Sequence, residues 1–185
     1  MITTTLNRIR EHRPCREGWE KLLAGIGKTR ADDEPLPFAR IVEINGIDDA
    51  LWCCRAEPQR AREWRLFAIW CARRALALIP SPDPRSVAAV DIAERHARGE
   101  ASDEELAAAE RAATFAARDA ASDAAWDAAR AARAAASDAA WDAAWAAWAA
   151  RAAARDAASD AAWDAASDAE RDAQQLEFLR IVGEG

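Results

Sequence analysis

Ser122-Asp123-Ala124-Ala125-Trp126-Asp127-Ala128-Ala129 is a phrase that returns from Ser137 to Ala144 and again from Ser159 to Ala166. The copies lie in a stretch from Ala101 to about Arg180 that is built largely of Ala, Asp, Arg, Ser and Trp and holds no Gly or Pro. Ala is the best helix former and the two strong breakers are missing, so the stretch reads as helix. Ser102-Asp103-Glu104-Glu105 opens it with a capping box, Ser at the cap and Glu three residues on. Unbroken from Asp103 to Arg180, it would be a rod on the order of 115 Å long.

A turn of roughly 100° per residue puts Trp126, Trp141, Trp145, Trp148 and Trp163 within an arc of about 100°. Asp119, Asp123, Asp127, Asp138 and Asp156 lie on or beside that stripe, Arg130, Arg133, Arg151 and Arg155 interleave with it, and the opposite side is mostly Ala. The spacing averages between 3.6 and 4 residues, which favours right-handed coiling. Two architectures fit. A single long helix can lay its Ala face on another copy, or the Ser-Asp pairs can act as internal caps that fold the stretch into two or three helices packed on the first hundred residues. A lone rod is disfavoured, because five exposed indoles would make an unusually large apolar patch.

Working outward, Leu6 and Ile9 share one side of a short helix ending near Pro14. Trp19, Leu22, Leu23 and Ile26 have the spacing of a buried helical face closed by Gly25 and Gly27. Residues 28–37 read as a polar loop. Phe38 to Ile44 is a short helix stopped by Asn45-Gly46, and Ile47 to Arg55 is another, with Asp48 and Asp49 in its first turn. After Pro58 comes the strongest core element, with Trp64, Phe67, Ala68, Cys71, Ala75 and Leu78 on one stripe and Leu66, Ile69, Trp70 and Leu76 widening it. Pro80, Pro82 and Pro84 end it, Asp83 can cap the next helix, and Gly99 terminates that one. The fold class is therefore all-α, with a bundle of short helices over 1–100 and an acidic Ala-rich helical tract over 101–182. An Ala face buries little area per residue, so the core is expected mainly from the first hundred residues.

Charge divides along the same line. Residues 1–100 carry 17 Lys+Arg against 15 Asp+Glu, and residues 101–185 carry 8 against 17, for a net of −7. An acidic tract does not neutralise phosphates, so no direct nucleic-acid binding is expected. Asp or Arg interrupts every apolar run and the first residues lack the apolar centre of a signal peptide, so a cytoplasmic protein without a membrane segment is expected. Cys15, Cys53, Cys54 and Cys71 then read as reduced thiols.

Gly25-Ile26-Gly27-Lys28-Thr29 resembles the end of a phosphate-binding loop, but Leu22 stands where its first Gly belongs and a helix precedes it. His12 and Cys15 have a usable metal-ligand spacing. Cys53 and Cys54 are adjacent and face apart, however, so small buried thiols are the simpler account. With only His12 and His96, no nucleophile-elbow turn and no Cys-His pairing, hydrolytic apparatus is lacking. Neither enzymatic activity nor a cofactor is expected.

Two features remain as candidate partner-binding sites. Asp156, Asp160, Asp164, Asp168 and Asp172 recur every four residues, about 6 Å apart along a helix, close to the phosphate repeat of a nucleic-acid strand. Such a ladder can mimic DNA toward a basic protein groove; the plainer readings are a solvated acidic face or compositional drift of a repetitive gene, and the interrupting arginines favour these. Trp141, Trp145, Trp148 and Trp163 are either filling between helices, the expected reading, or a binding hot spot.

Cys15-Arg-Glu-Gly-Trp19-Glu-Lys-Leu-Leu23, Asn45-Gly-Ile-Asp-Asp-Ala-Leu-Trp52-Cys-Cys-Arg55, Arg65-Leu-Phe-Ala-Ile-Trp-Cys-Ala-Arg73 and Ala93-Glu-Arg-His-Ala-Arg-Gly99-Glu-Ala carry a resemblance. They resemble small helical proteins of bacteria and prophages that have an Ala/Trp/Asp/Arg-rich C-terminal tract and are described as immunity proteins of polymorphic toxin systems. The resemblance spans nearly the whole chain and is specific in its first hundred residues. It implies an all-helical fold and an inhibitor that binds a protein target, either a toxin or, in a prophage setting, a nucleic-acid-handling host defence complex of the kind anti-CRISPR proteins inhibit. A structural protein whose Ala-rich helix self-associates, for instance as a homodimer, is the alternative.

Overall fold

The computed structural model describes residues 1–158 and 162–184, the side chains of 139–141 excepted. It is all-α, with ten α-helices among the described residues. The first four are short: α1 (Leu6–Glu11), α2 (Arg16–Gly25), α3 (Phe38–Asn45) and α4 (Ile47–Cys53), the last running into two 3-10 turns at Cys54–Ala56 and Pro58–Arg60. The longer ones follow as α5 (Ala61–Ala77), α6 (Pro84–Ala97), α7 (Asp103–Arg118), α8 (Asp123–Ala136), α9 (Ala139–Asp156) and α10 (Trp163–Glu184). Thr3–Thr4 and Leu36–Pro37 add one short antiparallel pair, with Thr3 opposite Pro37. Beside it the amide of Ile2 donates to the carbonyl of Val182 at 2.7 Å, which ties the first residues to α10.

The tract folds on itself instead of extending. Ser122 caps α8, its hydroxyl accepting from the amide of Ala125 at 3.2 Å. The second Ser-Asp pair sits at the α8–α9 junction, where Ser137 is extended and its hydroxyl donates to the carbonyl of Ala134. The third falls between α9 and α10, outside the described residues at Ser159 and Asp160. Ser102 and Glu105 form both halves of the expected capping box on α7, and Gly99, with φ of 77°, turns the chain out of α6 in a conformation that suits glycine.

The main core cluster runs from Ile2 to Val182 and the tract supplies much of it, with Ala116, Ala117 and Ala129 forming a small second cluster. Ala128, Ala131, Ala132, Ala134, Ala135 and Ala136 of α8 are buried, as are Ala143, Ala146, Ala147, Ala149, Ala150 and Ala153 of α9. Side chains this small let helix axes approach closely, so α8 and α9 lie against each other and against α5, with α6 and α7 flanking α8. The first-hundred-residue core exists as expected around Trp64, Phe67, Phe38 and Ile41, and it continues without a break into this alanine layer.

Two expectations are corrected here. The tryptophans do not fill the space between helices: Trp126, Trp145, Trp148 and Trp163 are between 41 and 51% exposed. An indole does not fit a seam spaced for methyl groups, so close Ala packing turns the bulky side outward. Trp141 lies within α9, but its side chain is outside the described residues. Leu78, assigned to the buried stripe of α5, is also exposed, because α5 ends at Ala77 and Leu78 is already its cap.

Candidate functional site

The expelled indoles gather around one cation. Arg130 lies one turn after Trp126 on α8, and its guanidinium carbon is 4.3 Å from the Trp126 ring centroid. The turn at Ser137 brings α9 back beside α8, placing Trp148 at 4.9 Å and Trp145 at 5.5 Å from the same carbon. Trp145 and Trp148 meet edge to face with centroids 5.9 Å apart. Among the described residues no carboxylate stands in ion-pair range of Arg130, so its contacts are these three rings. Guanidinium–indole stacking is attractive and orients a side chain that otherwise samples many rotamers.

The cluster borders an open groove of about 790 Å³ lined by Trp145, Trp148, Arg130, Arg151, Arg55 and Asp48. Arg55 stacks on Trp52 at 4.3 Å and donates from Nε to the Trp52 carbonyl at 2.7 Å. Arg151 reaches across from α9 to Asp48 of α4 at 2.6 Å, and Arg171 of α10 pairs with the same carboxylate. Asp48 thus pairs with two guanidiniums, and the described lining of the groove holds three arginines against this one carboxylate in a chain whose net charge is −7.

The same helix as Arg130 carries a buried acid, Asp127, that meets the exposed Asp156. Asp127 is only 4% exposed, its Oδ1 has no hydrogen-bond partner, and its carboxyl meets that of Asp156 at the end of α9. Burial first, then the shared hydrogen bond and charge of Asp156, push the Asp127 carboxyl up to about 6; Arg130 opposes the shift and Asp123 adds to it. The stability consequence has a definite sign. The unfolded group titrates near the ordinary carboxylate value and the folded one near 6, so between them the folded state holds more protons and stability falls as pH rises through that window. Above it the ionised group costs on the order of 2–3 kcal/mol. Asp127→Asn is accordingly expected to stabilise the protein at pH 7.5 and to change it little at pH 4, as read by urea unfolding at both values. A variant less stable than the parent at pH 7.5 would contradict the shared-proton account.

The remaining predicted residues scatter. The five-rung aspartate ladder is broken: Asp156 ends α9 and turns toward Asp127, and Asp160 lies outside the described residues. Asp164, Asp168 and Asp172 do share an exposed face of α10. Trp163 opens α10, and among the described residues no ring contact joins it to the Arg130 cluster. Lys28, the lysine of the glycine-rich stretch, is paired with Asp32 at 2.6 Å and Glu34 at 2.7 Å, with a helix before it and not a strand. Cys53, Cys54 and Cys71 are buried apart from exposed Cys15, and burial pushes the Cys53 thiol up to about 12. Among the described residues no three His, Cys, Asp or Glu side chains are grouped to hold a metal. No helix among them is long and apolar enough to cross a membrane.

Arg130, Arg55, Arg151 and Asp48 were not among the candidates drawn from sequence. The signal for the arginines is an aromatic residue followed three or four positions later by Arg, as in Trp126/Arg130, Trp52/Arg55, Trp148/Arg151 and Trp70/Arg74. That spacing puts the guanidinium over the ring on one helix face, and three of these four pairs stack. No family model, no curated protein and no solved structure matches the chain.

Proposed function

We propose that this chain is a non-enzymatic inhibitor that acts in the cytoplasm by binding a protein target, as an immunity protein of a toxin system or a counter-defence protein of a prophage does. The observation that carries the reading is the Trp126/Trp145/Trp148 cluster around Arg130. A fold that buries its alanines so thoroughly leaves three large rings and a guanidinium outward beside a groove. Trp and Arg are the residue types most enriched where interfaces draw their energy. The resemblance of the first hundred residues to immunity proteins supports the same reading.

A nucleic-acid-mimicking form of it would rest on Asp164, Asp168 and Asp172 alone, so the tryptophan–arginine face is taken as the principal contact. The self-associating alternative rests on a free alanine face, and it is less supported because most described alanines of α8 and α9 are buried within the chain.

The test is cross-linked capture from the source cell with the parent protein and with Trp145→Ala/Trp148→Ala. The expected result is a target lost by the double variant, whose activity the purified parent inhibits and the variant does not. If every captured protein is indifferent to the two tryptophans, or the dependent one is not inhibited, the reading fails.

A further inference from the structure

Charge and shape together narrow what the groove takes. Among the described residues its lining holds Arg55, Arg130 and Arg151 with one acid, Asp48, which already pairs with Arg151 and Arg171, while Arg55 stacks on Trp52. Residues 101–185 carry the excess negative charge, and against the chain's net of −7 the groove is a local cluster of cations toward which an anionic segment is drawn. Arg130 lines the groove with its guanidinium carbon 4.3 to 5.5 Å from three ring centroids, and a guanidinium held by stacking keeps its N–H donors for a ligand, in the planar fork that matches a carboxylate. Trp145 and Trp148, edge to face on the groove wall, offer an apolar surface beside that donor.

Resting on the protein-binding reading above, we propose that the groove binds an acidic peptide segment of the partner, one carboxylate on the edge of Arg130 and an adjacent apolar side chain on Trp145 and Trp148. Single-stranded nucleic acid, the other anion that aromatic–arginine surfaces accept, is disfavoured. Its bases stack on aromatic rings, and here Arg130, 4.3 to 5.5 Å from the three ring centroids, competes for them. Three groove arginines also neutralise few phosphates against a net charge of −7.

Fluorescence anisotropy decides it, using a labelled short peptide in which Glu and Asp alternate with Leu and Phe, an analogue with Lys for every acid, and a single-stranded oligodeoxynucleotide. The acidic peptide is expected to bind, to weaken as salt is raised, and to lose about tenfold in affinity in Arg130→Gln. Arg130→Lys should recover only part, because a point charge replaces the fork. Should Arg130→Gln fail to fold, the comparison of the three probes on the parent protein still decides. No binding of the acidic peptide, equal binding of the lysine analogue, tighter binding of the oligonucleotide, or affinity unchanged in folded Arg130→Gln would each overturn the proposal. The two readings separate in the capture experiment. A target lost with Trp145 and Trp148 but kept in Arg130→Gln removes the acidic segment and leaves protein binding standing, whereas a target indifferent to the tryptophans removes protein binding itself.

Discussion

Urea unfolding of Trp64→Ala is expected to fall below the parent by about 3–5 kcal/mol, the usual cost of truncating a buried large aromatic side chain. Trp64 is completely buried on α5 where three elements meet. Its ring is 5.1 Å from Phe38 of α3 and 6.0 Å from Phe178 of α10, the latter stacked at 18°. Phe178 closes the set by meeting Phe67 edge to face at 5.5 Å. The indole also has a polar obligation, since Nε1 donates to the carbonyl of Glu57 at 2.9 Å. Glu57 is itself buried, held by Arg8 of α1 at 2.7 Å, so the loss reaches the N-terminal helix as well. Trp64→Phe separates the contributions: it keeps most of the apolar volume and removes the hydrogen bond, so about 1–2 kcal/mol is expected. A loss below about 1 kcal/mol in Trp64→Ala would mean that this aromatic junction does not join the first helices to α10.

The α5 side of that junction was legible in sequence, for a local reason, whereas the place of Phe178 depends on how the tract folds back. Trp64 and Phe67 sit in a run apolar around most of its circumference, and Asp83-Pro84, Asn45-Gly46 and Ser102-x-x-Glu105 punctuate the chain with backbone chemistry that needs no tertiary context. The tract was legible only as a pair of alternatives. A Ser cap is worth about 1 kcal/mol, so packing decides whether a Ser-Asp pair breaks a helix. Ser122 and Ser137 mark boundaries, while Ser167-Asp168 runs through the middle of α10. The orientation of the tryptophans was misread for a related reason. Angular arithmetic orders side chains around an axis, but which side turns inward depends on what the neighbouring helix offers, and here it offers methyl groups. The pairing of Trp126 with Arg130 is written in their spacing; its convergence with Trp145 and Trp148 exists only because the chain reverses at Ser137.

Arg65, a buried cation near the start of α5, braces that reversal, and its removal is the second large effect expected. Arg65 sends Nη1 to the carbonyls of Ala135 at 3.0 Å and Ser137 at 2.8 Å, the end of α8 and the first residue past it. The last carbonyls of a helix have no partners within it and carry its negative end, so a guanidinium there supplies both donors and charge. Burial lowers the Arg65 pKa below its ordinary value, and Asp138, Asp103 and Asp142 oppose that shift, which keeps the side chain a cation. Arg65→Met preserves the length and the packing of the stem but leaves two carbonyls in a buried seam without donors. A loss of about 2–4 kcal/mol is expected in urea unfolding, and Arg65→Lys should restore part of it. The consequence also has an address. Because the α8–α9 turn sets Trp145 and Trp148 against Arg130, hydrogen exchange should rise first at the end of α8 and the start of α9, and acidic-peptide affinity should fall although no groove residue has been touched. If Arg65→Met loses stability evenly over the whole bundle and binds the peptide as the parent does, the turn is held by the alanine seam and not by Arg65.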